Sequence, residues 1–338
     1  MGDLGAVIVV PRLAPWAMII GAIAAPELTV AQQPRLRTLT YDPQKKGWVE
    51  QAPPPLGTSE GDLYVIRTQI KDGKHRKALA SIKAFVKKYG EHDPAYPEVL
   101  IAKAEALIGQ KEYDKAHKVL QEFLGEFGGM AITSEALRLE FEIAETYLTG
   151  VKRKLWGVFR VSGEELGLQI LDEISADHPE SRLAELAVKT KGDHLFRTGE
   201  HALAELEYSR MMREYPRSRY HQFALGRSAE SALASFGGVE YDEAALVEAQ
   251  ERYGDYRLRY PGAADREGVG LILDSIHEMR AEKDFQIGAY YERTEHPGAA
   301  VFYYRGVRTS FPDTVAAAKA GVRLELLGAL EPVATAGP

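Results

Sequence analysis

Four acidic residues recur at one place along this 338-residue sequence: Glu105, Glu145, Asp193 and Glu230, each directly after a small residue (Ala104, Ala144, Gly192, Ala229). Carboxylates spaced like this form no acid–base pair. What they can do is line a groove, and an acidic ladder favours a basic or amine-bearing peptide because charges in a concavity steer and select partners. Arg67 and Ala289 hold the same place at the two ends of the series. The competing reading is local pairing, as between Asp193 and Arg197 four residues on, which leaves a solvated face.

Two further clusters carry interface chemistry. Lys152, Arg153, Lys154, Trp156 and Phe159, followed by Arg160, interleave cations with aromatics. Such a loop suits anionic headgroups or a partner, although four cations are too few for lasting membrane attachment, and the loop can instead fold back over its own repeat. The doublets Tyr290-Tyr291 and Tyr303-Tyr304 are expected to pack the last repeat, with one ring of each facing outward as an interface anchor.

Catalytic grammar is missing. The nine histidines are scattered without a metal-ligand spacing, and His194 and His201 fall on separate helices flanking Gly199. The sequence has no phosphate loop; Gly268-Val-Gly270 sits in a predicted helix, and Glu164-Glu165 is ordinary on a solvated helix. The count of cysteines is zero, which removes disulfides, thiolate metal sites and cysteine nucleophiles. No catalytic residue, metal or cofactor is expected, and the chain is not expected to be an enzyme.

The elements that must position these residues follow from a repeated spacing. A small residue, an aromatic four positions later and a proline at twelve recur as Ala204-Tyr208-Pro216, Ala249-Tyr253-Pro261 and Ala300-Tyr304-Pro312, with a weaker Gly167-Leu171-Pro179. Self-similarity at roughly 34 to 50 residues means helix pairs that bury their apolar faces only against their neighbours. The small residues let two axes approach closely, the aromatic fills the groove one turn on, and proline ends each second helix. This predicts an all-α, right-handed solenoid of about six helix pairs with a C-terminal capping helix. Its repeats span 59–94, 95–131, 134–180, 183–217, 222–262 and 264–313, the cap 314–330, the whole solenoid 59–331 and a tail 332–338. Repeats three and five carry long internal insertions, 150–162 and between Ala229 and Ala249. Repeat six opens with one helix from Asp265 to Arg293. Ser59 with Asp62 is expected to cap the first helix, and no strand is expected beyond it.

Composition agrees with a surface-binding protein. With 45% apolar and 27% charged residues the chain is globular, and a net charge of −7 with pI near 5.8 supplies no basic face for nucleic acid. Residues 1–31 read first as a cleaved export signal, with an uncleaved membrane anchor and a buried or incidental segment as the alternatives: a thirteen-residue apolar run, LAPWAMIIGAIAA (13–25), follows Arg12. That run is short for the ~30 Å hydrocarbon core of a bilayer. Residues 32–58, with Pro53-Pro54-Pro55, read as an extended linker whose Tyr41 and Trp48 would dock on the first repeat.

The stretches GDHLFRTGEHALAELEYSRMMREYPRS (192–218) and IGAYYERTEHPGAAVFYYRGVRTSFPDT (287–314) resemble tetratricopeptide repeats, and more closely those of the BamD-like (YfiO-like) outer-membrane assembly factors. The resemblance covers about residues 60–330 and implies a tetratricopeptide-type α-solenoid acting as a protein-binding scaffold of the bacterial cell envelope. The implied partners are an outer-membrane assembly component or an unfolded, extended polypeptide. Peripheral membrane contact is the most that is expected, with localisation in the periplasm or on the periplasmic face of the outer membrane. Family members carry a lipid on a cysteine at the mature N-terminus, and no cysteine stands here to do so, so that mode of anchoring is not expected. A cytoplasmic tetratricopeptide adaptor and a helical cell-wall or carbohydrate enzyme are the alternatives.

Overall fold

The structure, a computed structural model, describes residues 39–42, 47–50, 54–155, 159–238 and 243–329. The described residues form fourteen helices and two hairpins of strands, grouped in two compact units, Met1–Glu112 and Tyr113–Pro338. The segment read as an export signal and the tail 332–338 lie outside the described residues.

In the first unit β1 (Leu39–Asp42) pairs antiparallel with β2 (Gly47–Glu50), with Tyr41 opposite Trp48. The extended linker expected here is thereby corrected. Thr40, Tyr41, Trp48 and Val49 are β-branched or aromatic, and two such runs satisfy one another's backbone groups as a lone extended chain cannot. Three helices follow, α1 (Ser59–Lys71), α2 (His75–Tyr89) and α3 (Tyr96–Gly109). The cap of α1 is Thr58 and not Ser59: the Thr58 hydroxyl accepts the Gly61 N–H at 3.1 Å. Leu63, Ile66, Ile82, Phe85, Val99 and Ala102 form the core of this unit. Gly109 belongs to α3 itself, pressed against the His75 ring where a Cβ would collide, and the turn falls to Lys111 with φ +62.

The second unit begins with α4 (Tyr113–Phe127) and continues as ordered helix pairs: α5 (Thr133–Leu148) with α6 (Glu164–Asp177), α7 (Arg182–Thr198) with α8 (His201–Glu214), and α9 (His221–Ala234) with α10 (Ala244–Arg259). After α11 (Pro261–Arg266), α12 (Val269–Arg293) pairs with α13 (Pro297–Ser310), and α14 (Val315–Leu326) packs on both. Each pair stacks on the next, as α6 on α7, α8 on α9 and α10 on α12.

Two sequence features explain this regularity. The residue before each repeat-ending proline leaves the helical region in the same way: His178, Tyr215, Tyr260 and Phe311 have φ of −131°, −123°, −132° and −135° with ψ of 54°, 60°, 57° and 51°. Proline disfavours the α conformation at its predecessor, so every second helix stops at an equivalent point and the chain re-enters the stack in the same direction. The small residues meet the aromatic rings as their spacing predicts. A Cβ on Gly192 would stand 3.0 Å from the Tyr208 ring, and one on Gly288 2.8 Å from that of Tyr304. Both rings are fully buried.

Three expectations need correction. The insertion at 150–162 forms strands, β3 (Lys152–Leu155) antiparallel to β4 (Phe159–Ser162), because Phe159 and Val161 alternate with polar residues at the strand period. The single helix expected from Asp265 breaks between α11 and α12 at Gly268, whose φ of +69° is left-handed and open to glycine at little cost. The loop of repeat five is shorter than its composition suggests, since α9 runs to Ala234 and α10 starts at Ala244.

Entry into α7 rests on Ser181, whose hydroxyl accepts the Ala184 N–H at 3.1 Å. Ser181→Ala is expected to cost about 1 kcal/mol, read as a lowered urea midpoint. An unchanged midpoint would show that water caps this end equally well.

Candidate functional site

Asp193 on α7 and Glu230 on α9 each sit beside a cation of their own helix. Lys189 bonds Asp193 at 2.6 Å, and Arg227 bonds Glu230 at 2.7 Å. The Tyr208 hydroxyl donates to Asp193 at 2.7 Å, which ties α8 to α7. Glu145 holds the equivalent place on α5 and is exposed, while Glu105 holds it on α3 in the first unit and is half-buried. At Asp193 and Glu230 the charge of the series is therefore balanced within one turn.

The same cations lie on aromatic rings, which the sequence reading missed. Lys189 stands 4.3 Å from the centre of the Phe223 ring, and Arg227 stands 4.7 Å from that of Phe196 and 5.6 Å from that of Phe223. Arg219 covers Tyr220 at 4.7 Å. A cation over a ring face is held by the ring quadrupole, so these side chains form an ordered shelf along α7 and α9. The signal was present in the one-turn spacing of Phe223 and Arg227, but Lys189 and Phe223 meet only because α7 and α9 both pack on α8, which brings their side chains within reach.

Beside the shelf, α9, α10 and α12 enclose an open cavity of about 510 Å³. Phe223, Tyr253, Tyr256 and Ile272 give it an apolar wall, with Arg219, Arg227, Glu230 and Glu267 around them. Tyr256 is fixed by donating to Glu267 at 3.0 Å and accepting from Gln222 at 3.1 Å. Burial, with the nearby carboxylates of Glu230 and Glu267, pushes the Tyr253 hydroxyl up to about 12, so it stays a neutral donor. Glu230, an expected groove residue, thus lines the cavity. Ala289, at the same place on α12, lines a smaller open hollow of about 280 Å³ with Phe285 and Tyr304, bordered by the contact between Glu292 and Arg323.

The other expected residues separate. Of the tyrosine doublets, Tyr304 is fully buried and donates to Glu292 at 2.8 Å, Tyr291 stacks on Tyr303 with ring centres 5.5 Å apart, and Tyr290 is 55% exposed. Of the insertion, Arg153 bonds Asp114 of α4 at 2.9 Å, beside the Tyr147 hydroxyl on the same carboxylate oxygen. Lys152 and Phe159 are exposed, whereas Trp156 and the side chain of Lys154 lie outside the described residues. His194 bonds Glu164 at 2.6 Å and accepts from Arg197 at 2.8 Å. Among the described residues no group of three His, Asp or Glu side chains is arranged to hold a metal ion, and no helix is long and apolar enough to cross a membrane.

Residues 165–327, α6 to α14, match the YfiO family, described as an outer membrane lipoprotein. No curated protein matches the chain. Among solved structures, the type IV pilus biogenesis factor PilW is similar at 17% identity over 78% of this chain and 99% of its own, with a TM-score of 0.30. A tetratricopeptide repeat protein from Parabacteroides merdae shares 12% identity over 80% and 98%, with a TM-score of 0.33. A thermophilic one from Thermus thermophilus shares 15% over 65% and 98%, with a TM-score of 0.30. The recurrent helix pairs, their glycine–tyrosine contacts and the family match together make the chain a tetratricopeptide repeat protein with an all-α solenoid fold, BamD-like (YfiO-like) over residues 165–327.

Proposed function

We propose that the chain is a non-catalytic protein-binding scaffold of the bacterial cell envelope that holds an extended or unfolded polypeptide, in the service of outer-membrane protein assembly. The observation that carries this reading is the cavity between α9, α10 and α12, within the stretch that matches the family. An open recess with an apolar aromatic wall and charges already paired at its edge suits a bulky apolar side chain on an extended backbone. Rigid helices lower the ordering cost of holding such a chain. Asp193 and Glu230 then act through their cations: each can exchange an internal partner for one on the guest, which tolerates either sign of charge and leaves selection to the aromatic wall. Exposed Glu145 and Tyr290 extend the contact. The apolar run 13–25 and the family description support export to the periplasm.

The test is binding of a urea-unfolded outer-membrane barrel protein, diluted into buffer with the full chain and followed by fluorescence anisotropy. Phe223→Ala is expected to weaken binding about tenfold, the ~1.4 kcal/mol that one well-buried aromatic anchor supplies. Charge exchange at Asp193 with Lys189 is expected to change it less than threefold. Failure of the wild-type chain to bind, or equal binding by Phe223→Ala, would sink the proposal. Mature protein isolated with Met1 or Gly2 intact would favour a cytoplasmic adaptor instead.

A further inference from the structure

The hairpin between α5 and α6 has no counterpart in the helix-pair pattern, and its chemistry is unused by the groove. Its first strand is held: Arg153 of β3 donates to Asp114 at 2.9 Å, on the oxygen that also accepts the Tyr147 hydroxyl at 2.7 Å. Its second strand is open. All four β4 residues are exposed, Phe159 at 61% and Val161 at 37%. Ser162 ends the strand by accepting the Glu164 N–H at 3.2 Å, which fixes β4 to the start of α6.

Strand alternation sorts β4 into two sides, Phe159 and Val161 on one and Arg160 on the other. Lys152, opposite Ser162 in the register, shares the Arg160 side, and Lys154 is the register partner of Arg160. A two-stranded ribbon leaves the outer edge of β4 with unpaired N–H and C=O groups, the template on which another chain adds a strand. A second copy of this chain is disfavoured as the occupant, because edge-to-edge pairing would bring a second Arg160 and Lys152 into the same small area. The charge complement is acidic.

We propose that β4 is a strand-addition site for an extended partner segment in which an acidic residue is flanked by apolar ones, the acid opposite Arg160 and the apolar residues opposite Phe159 and Val161. Side chains directly opposite in a sheet share a face, so this pattern matches the two sides of β4 residue by residue. Backbone pairing supplies the affinity and the alternation supplies the specificity. An anionic lipid surface shares the charge but not the need for a backbone ladder, and the ladder is what the experiment reads.

The probe is a fluorescein-labelled nonapeptide of alternating valine and glutamate, titrated into the full chain at low salt. Binding is expected to weaken at least tenfold for Arg160→Glu, and to return when lysine replaces glutamate in the peptide. N-methylation of every second amide in one phase of the peptide is expected to abolish binding, and in the other phase to leave it within threefold, because only one set of N–H groups faces β4. The helical circular dichroism of Arg160→Glu should match the wild type. Three results would overturn the proposal: no binding to the wild-type chain, equal tolerance of methylation in both phases, or unchanged affinity when residues 152–162 are replaced by a glycine–serine linker. Hairpin-dependent sedimentation with phosphatidylglycerol vesicles, in the absence of peptide binding, would assign the hairpin to a lipid surface and likewise overturn it.

Discussion

His117→Ala is expected to destabilise the second unit by about 3 kcal/mol at neutral pH, read as a lowered urea midpoint and as faster amide hydrogen exchange across α4 and α5. The cause is Glu140, which is 1% exposed and holds His117 Nδ1 at 2.8 and 3.0 Å through its two oxygens. Gln121 adds a bond at 3.3 Å. Burial pushes the Glu140 carboxyl above its ordinary range, with His117 pulling it back. Burial works against the His117 imidazolium, but the hydrogen bond and charge of Glu140, with Glu173 beyond, outweigh it and hold the imidazole above its usual value; Arg153 opposes weakly. Removing the imidazole leaves a buried carboxylate with one weak donor, which must take up a proton or unfold its surroundings.

The pH dependence has a definite sign. A folded-state histidine raised above its unfolded value adds stability that is complete below the unfolded value and is lost as pH rises through the folded one. The wild-type chain is therefore expected to weaken as pH climbs through and above the ordinary histidine range. In His117→Ala the histidine part of that slope should vanish, leaving the Glu140 part, and the deficit should shrink on acidification as Glu140 protonates. The double substitution His117→Leu, Glu140→Leu should recover most of the loss, since an apolar pair of similar volume needs no charge compensation. A deficit in His117→Ala that does not change with pH would refute this account. Because stacked repeats can unfold in stages, exchange at α4 and α5 is the sharper readout.

Gly288→Val is expected to cost about 3 kcal/mol and to loosen α13 and α14 together. The Tyr304 ring leaves no room for a Cβ and cannot swing aside, because it is fully buried and its hydroxyl is bonded to Glu292, which Arg323 of α14 also holds. Burial and the Glu292 bond push this hydroxyl up to about 12, so it remains a donor across the working pH range. Gly306 on the exposed side of α13 gives the contrast: a Cβ there meets nothing, and Gly306→Ala is expected to raise stability by up to ~1 kcal/mol through helix propensity alone. Thermal unfolding of the two variants checks both directions. If pairing Gly288→Val with Tyr304→Leu restores none of the loss, the ring is not the obstacle.

The repeat grammar was legible because each part of it acts locally. Proline biases its predecessor through local sterics, and a small residue four positions before an aromatic lies on one helix face, so the equivalent helix ends at His178, Tyr215, Tyr260 and Phe311 follow from sequence. The break at Gly268 was not legible, since an isolated glycine is compatible with a continued helix until packing selects its left-handed conformation. Both strand hairpins were missed for a related reason: four-residue runs fall below the length at which a period of two stands out from one of 3.6.

The site divides along the same line. Sequence alone identified Asp193 and Glu230 as recurring acids and the 150–162 segment as foreign to the repeat, because periodicity and its interruption are properties of one dimension. It did not establish that Arg227 and Lys189 neutralise those acids while lying on Phe196 and Phe223, nor that His117 meets Glu140 across 23 residues. Those facts depend on which helix faces touch, and that is settled when close packing at glycine and alanine sets the spacing and rotation of one helix pair against the next. Residue types set what each helix offers; the stacking chose which offers meet.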